Sequence, residues 1–166
     1  MGDYERKKIY FRTKKGLVVN IARTQVKNSK VRGMDRPTYS RVELQDWLYS
    51  QTLFHELYDK WKASGYEKNL RPSVNRLNDY LGYSMSNIEI MTWEENRQKY
   101  IKDVTTGVNN KVNRSVSQYT KEGELVDTYH SARFAERELG YGGDSIGKVC
   151  RGVRDSLEGF IWKYNN

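Results

Sequence analysis

The stretch 73-SVNRLNDYLGYSMSNIEIMTWEENRQK-99 constrains the fold of this chain more than any other. Two short apolar runs, 73–78 and 87–91, read as strands around a turn-rich loop that bends at Gly82. Thr92 followed by Glu95 is a capping box, in which the hydroxyl and the carboxylate each satisfy a backbone N–H left open by the first helical turn. The helix it opens is expected to run to about Lys102. The segment therefore spells strand–loop–strand–helix, with Asn75, Asn87 and Asn96 at its joints.

The flanks follow the same punctuation. Ser40 and Glu43 form another capping box, opening a helix with Leu44, Trp47 and Leu48 on one face. A second helix is expected from Thr52 to Ser64, with Leu53, Leu57, Tyr58 and Trp61 as its apolar stripe and Gly65 as its stop. Upstream, 4-YERKKIYFRTKKG-16 reads as a strand or an irregular basic arm, and 20–32 as a weakly patterned basic helix ending at Gly33. Residues 103–114, DVTTGVNNKVNR, lack apolar periodicity and read as a linker. Beyond it, VSQYT and LVDTYH flank the turn KEGE as a hairpin. Ser131 caps a helix over ARFAEREL, with Phe134, Ala135 and Leu139 facing inward and Gly140 stopping it. Asp144 or Ser145 caps a second helix, SIGKVCRG, and 160-FIWKY-164 closes the unit as a strand. Two helices joined by a short glycine turn outline a helix-turn-helix. The fold class is α+β, in four parts: a basic N-terminal arm or helix over 1–40, a helical region and ββα core over 41–102, a linker over 103–114, and a ββααβ unit over 115–166.

Composition narrows the chemistry. The single cysteine, Cys150, excludes an internal disulfide and suits a reducing compartment, while two distant histidines, His55 and His130, exclude a zinc finger. His55 reads as a packed or surface histidine. A hydrophobic fraction of 37% with four Trp and thirteen Tyr suits small cores in a modular chain. No stretch resembles a signal peptide or a membrane span, so a cytoplasmic location is expected. The net charge of +8 is localised: residues 1–40 carry eleven Lys and Arg against three acids. Clustered cations favour a polyanion, since each phosphate contact releases counterions. Lys14, Lys15, Arg23, Lys27, Lys30 and Arg32 are the candidates for backbone attraction. In the C-terminal unit, Ser145, Lys148 and Arg151 lie where a recognition helix meets base edges, with Arg154 beside them for a phosphate.

The phrases PSVNRL, GYSMSNIEIMTWEEN and GGDSIGKVCRG…GFIWKY carry a family likeness. Residues 72–99 resemble the core of phage-type HNH endonucleases, which are related to intron homing enzymes. Residues 115–164 resemble the modular DNA-binding repeat that follows such cores. The resemblance implies a strand–strand–helix that holds one divalent ion, Mg²⁺ or Mn²⁺, against a scissile phosphate. The family's first strand offers an Asp–His pair, its second strand an Asn, and its helix an Asn or His. Here the Asp position falls on Asn75 and the His position on Arg76, while Asn87 and Asn96 match. Asn75 offers only a neutral carbonyl, and Arg76 stays protonated and can pair with a phosphate but cannot act as a base. Asp79, Glu94 and Glu95 are further acids nearby, though acids in a first helical turn also complement the helix dipole.

On this reading Asn75 and Asn96 hold the ion, Arg76 contacts the phosphate and Asn87 positions the loop. Asn109, Asn110, Lys111, Asn113 and Arg114 lie along a groove, as the family's extended linkers do. The implied protein is a monomeric endonuclease in a phage-infected bacterial cell. It nicks or cuts double-stranded DNA at a long, loosely specified site, without a small-molecule cofactor or a membrane partner. The missing carboxylate and imidazole favour an alternative, a weakened relative that acts as a sequence-specific DNA-binding or regulatory protein. A third reading has the basic arm binding structured RNA or a host protein.

Overall fold

The basic N-terminal segment is helical, not an extended arm, and its second helix is packed. α1 spans Asp3–Arg12 and α2 spans Lys14–Val31 in the computed structural model, which describes residues 2–165. The correction has a plain cause: Leu17, Val18 and Ile21 recur at helical spacing and are buried, so the segment has an apolar face beneath its charge. Thr13 turns the corner between the helices and its hydroxyl accepts from the Gly16 N–H. Only glycine fits at 16, because a Cβ there would stand 1.9 Å from the Tyr10 carbonyl oxygen.

α3 (Arg41–Ser50) and α4 (Thr52–Ala63) complete the helical layer. Ser40 and Glu43 make both bonds of the expected capping box. Leu44, Leu48, Phe54, Tyr58 and Trp61 meet Leu17, Val18 and Ile21 in one core. In α4, Phe54 takes the inward place that the sequence pattern assigned to Leu53, which is 45% exposed. The core extends onto the strand pair through Val74, Tyr83 and Ile88. β1 (Pro72–Arg76) and β2 (Ile88–Thr92) run antiparallel, with Asn75 opposite Glu89 and Arg76 opposite Ile88. Burial alternates along β1, so Pro72, Val74 and Arg76 face the core while Ser73 and Asn75 face away from it.

α5 runs over Trp93–Thr106, four residues further than the sequence suggested, and takes up the start of the expected linker. The chain divides into two compact units between Lys99 and Tyr100, within this helix. The C-terminal turns of α5 hold the next residues close: the Asn113 amide donates to the Val104 carbonyl (3.0 Å), and the Asn109 N–H to the Asp103 carbonyl (2.9 Å).

In the second unit, β3 (Val116–Tyr119) is the centre of an antiparallel sheet, between β4 (Leu125–Tyr129) and β5 (Ile161–Tyr164). α6 (Ala132–Glu138) and α7 (Ser145–Cys150) pack on it around Val116, Ala135, Ile146, Val149, Leu157 and Trp162. Ser131 caps α6 as expected, through the Phe134 N–H. Leu139, expected inward, is 37% exposed, because α6 has already ended at Glu138. Among the described residues, no helix is long and apolar enough to cross a membrane.

Candidate functional site

The outer face of the β1–β2 pair gathers polar groups that face away from the core. Asn75 donates through Nδ2 to Glu89 Oε1 across the strands (3.1 Å) and to the Arg76 carbonyl (2.8 Å). Asn96, in the first turn of α5, donates through Nδ2 to Ser73 Oγ (3.0 Å). Ser73 and Asn75 share a face of β1, so Asn96, Ser73, Asn75 and Glu89 belong to one surface. Its donors are a carboxylate, two amide carbonyls and a hydroxyl. Oxygen donors of this kind fit a hard divalent cation. Among the described residues there is no cluster of three His, Cys, Asp or Glu side chains, so any ion here rests mainly on amide oxygens.

Arg76 lies on the other side of the strand pair, and Arg76 and Asn87 grip the loop between the strands. Arg76 is 4% exposed. Its Nη2 meets Asp79 Oδ1 at 2.8 Å, and its Nη1 donates to the carbonyls of Asp79 (3.0 Å) and Leu81 (2.9 Å). The expected phosphate contact of Arg76 is therefore corrected: the guanidinium is buried and its fork is filled from within. Asn87 Oδ1 accepts from the Asn78 N–H, and its Nδ2 donates to the carbonyls of Asn78 and Gly82. Arg76 and Asn87 together fix loop 77–82, while Asn75 and Asn96 stand apart from them. His55, the histidine of this unit, is committed elsewhere. His55 Nε2 lies 2.9 Å from the Tyr49 carbonyl and must donate to it, so Nδ1 is left to accept from Lys14 Nζ at 2.9 Å.

The nearby acids have local partners. Glu94 pairs with Arg97 at 3.0 Å. Glu95 closes the capping box on Thr92 N–H (2.7 Å), and those bonds hold its carboxyl below its ordinary range. Asp79 belongs to Arg76. Glu89 is the carboxylate on the outer face, and residue-by-residue reading overlooked it. The signal that finds it is strand register, and a connection of eleven residues (77–87) does not fix a register.

In the second unit Lys148, Arg151 and Arg154 are exposed, while the Ser145 hydroxyl donates to the Gly142 carbonyl within the turn. Arg151 Nη2 donates to both carboxylate oxygens of Asp144 (2.8 and 3.1 Å), which holds the Asp144 carboxyl below its usual range. Asp144 occupies the N-cap position of α7 with φ 64° and makes no side-chain cap. The cap comes instead from Glu136 on α6. Its carboxylate is 4% exposed and accepts from the Asp144 (3.1 Å) and Ile146 (2.9 Å) N–H groups. The turn between the helices is thus clamped by a buried acid. Of the linker candidates, Asn109 is 5% exposed. The Asn110 side chain accepts from Asn113, and Arg114 lies over the Tyr164 ring at 4.1 Å. This compact corner replaces the expected extended linker. Of the N-terminal cations, Lys15, Arg23, Lys27 and Lys30 are exposed on α2, and Arg32 Nη1 reaches the Tyr83 hydroxyl at 3.4 Å. Lys14 is turned inward, onto His55 and the Tyr58 ring.

The fold is α+β, with a strand–strand–helix core in one unit and a helix-turn-helix on a three-stranded sheet in the other. One family match falls within the second unit. The NUMOD1 domain matches residues 114–149, which cover the β3–β4 hairpin, α6 and nearly all of α7. A protein of Acanthamoeba polyphaga mimivirus named as an HNH endonuclease is 29% identical over 91 residues, covering 55% of this chain and 26% of its own length. The chain thus spans about a quarter of that relative. The solved structure titled "DNA binding and cleavage by the HNH homing endonuclease I-HmuI" shares 17% identity, with a TM-score of 0.31, over 57% of this chain and 58% of that one. The likeness to HNH endonucleases expected from the sequence is borne out by the match to the mimiviral protein.

Proposed function

We propose that the chain is a DNA-binding protein of the HNH homing-endonuclease type, acting on double-stranded DNA at a long recognition site. The observation that carries this reading is the pairing of the β1–β2–α5 frame and its oxygen-donor face with a NUMOD1-matching unit. NUMOD1 domains are associated with HNH homing endonucleases. In the second unit, α7 presents Lys148 to a groove, with Arg151 at its C-cap beside it and Arg154 just beyond for a phosphate, and Glu136 holds the helix in place. In the first unit, Lys15, Arg23, Lys27 and Lys30 on α2 add sequence-independent attraction.

The ion, Mg²⁺ or Mn²⁺, would be held by Asn75 and Asn96. When bound, it supplies charge neutralisation at the scissile phosphate. The chain's own residues set the geometry: Arg76 and Asn87 fix loop 77–82, and the Thr92–Glu95 box fixes the start of the helix that carries Asn96. Among the described residues of the first unit the histidine, His55, is held by Lys14 and the Tyr49 carbonyl, so hydrolysis would draw on solvent hydroxide. The rate is then low at neutral pH and climbs about tenfold per pH unit.

A second reading is favoured by one observation, the burial of Arg76 in place of a base. It makes the chain a weakened relative that retains DNA recognition and serves as a sequence-specific binding or regulatory protein. Asn75→Asp with Arg76→His separates the two. If the double variant cleaves and the wild-type chain binds the same DNA without product at any pH, the second reading holds.

A further inference from the structure

We propose that Glu89 supplies the anionic oxygen of a divalent-cation site on the outer face of β1–β2, in the role that a carboxylate at position 75 would otherwise fill. This rests on reading β1–β2–α5 as an ion-holding core, and it assigns the charge of that core to a strand other than the first.

Three observations converge on Glu89. The first is register: Glu89 is the direct partner of Asn75, and the Nδ2···Oε1 distance of 3.1 Å brings the carboxylate to the end of the Asn75 side chain. A carboxylate missing from one strand is here recovered from the strand opposite, on the same face. The second is elimination. Of the four acids between 73 and 99, Asp79 pairs with Arg76, Glu94 with Arg97, and Glu95 with the Thr92 cap. Glu89 alone is bound only by a neutral amide, half-buried and with no cation among the described residues. A half-buried carboxylate without a counter-charge attracts one.

The third observation concerns the two amides. Asn75 Nδ2 is committed to Glu89 and to the Arg76 carbonyl, and Asn96 Nδ2 to Ser73. With the nitrogens tied down, each amide has its carbonyl oxygen left for an external partner. Two carbonyl oxygens and one carboxylate form an all-oxygen set of single negative charge, which suits Mg²⁺, Mn²⁺ or Ca²⁺ over softer metals. One charge makes a weak site, with dissociation constants of about 0.1–1 mM.

The test titrates the full chain with Mn²⁺ alone, without DNA, following free Mn²⁺ by electron paramagnetic resonance. The wild-type chain is expected to bind one ion, and Glu89→Gln to bind at least about tenfold more weakly. The glutamine keeps an acceptor oxygen toward Asn75, so an unchanged circular dichroism spectrum and melting temperature are expected. Adding Asn75→Asp to Glu89→Gln returns the charge to the first strand and restores binding, which also separates loss of a ligand from loss of the fold. Wild-type binding that Glu89→Gln leaves unchanged overturns the proposal, as does a wild-type chain with no Mn²⁺ uptake. Failure of the nuclease reading looks different: Mn²⁺ binding that depends on Glu89, with no DNA cleavage, leaves this site standing and removes only the hydrolysis.

Discussion

Arg76 and Asn87 illustrate how a residue type can keep its place and change its task. At position 76 an imidazole would have to stay exposed and lose a proton; arginine does neither, and the fold encloses it. Its guanidinium joins Asp79 and two loop carbonyls. Arg76→Met leaves those carbonyls and the Asp79 carboxylate without their cation, at a cost of about 3 kcal/mol in urea unfolding. Asn87→Ala deletes three hydrogen bonds to the loop and costs about 2–3 kcal/mol by the same measurement. The double variant Asn75→Asp, Arg76→His should therefore gain cleavage through the carboxylate at 75, since position 76 faces the core, while it loses stability; a gain in both would refute the loop-bracing role. The spacing of Asn87 and Asn96 was readable from the sequence, because each stands at a joint between elements. The direction of Arg76 was not, since it depends on burial that only the packed helices create. Cys150 is of the same kind: burial pushes its thiol up to about 11, leaving it unreactive at neutral pH.

At the scale of elements, local rules carried well where capping and glycine stops decided the outcome. Both Ser/Thr–Glu boxes, the β3–β4 hairpin and the helix pair stand where their punctuation put them. They failed where burial outweighed composition. The lysines and arginines of α1 and α2 masked the stripe of Leu17, Val18 and Ile21, and the polar residues 103–106 continued α5. The boxes also set a pH response. Hydrogen bonds from the caps lower the Glu43 and Glu95 carboxyls below their ordinary 4.5. A carboxylate whose folded pKa is depressed stabilises the fold above that ordinary value, and the benefit fades as pH falls through the folded pKa. Helix content and melting temperature should thus hold steady above the ordinary value of 4.5 and drop as the pH falls below it and through the lowered folded values; Glu43→Gln with Glu95→Gln should flatten that drop. In α7 the cap is a long-range one, from Glu136. Glu136→Gln should weaken DNA binding in proportion to the loss of α7 order seen in amide exchange, without changing the slope against salt.

For the whole molecule, the proposed function assigns different tasks to the two units divided at Lys99–Tyr100. In that proposal α2 contributes attraction without sequence reading, and α7 contributes reading. Alanine at Lys15, Arg23, Lys27 and Lys30 should reduce the slope of log affinity against log salt by about 0.9 for each phosphate no longer neutralised, equally on all sequences. Alanine at Lys148 should instead narrow the gap between cognate and random duplexes. The most direct test of the account is cleavage of plasmid DNA carrying a duplex site selected by binding to the full chain. It is followed with Mg²⁺ or Mn²⁺ from pH 7 to pH 9, for the wild-type chain and for Asn75→Asp, Arg76→His. The account predicts slow, ion-dependent cleavage by the wild-type chain that rises about tenfold per pH unit, and faster cleavage by the double variant at pH 7. Wild-type cleavage as fast as the double variant at pH 7, or independent of pH, would contradict it.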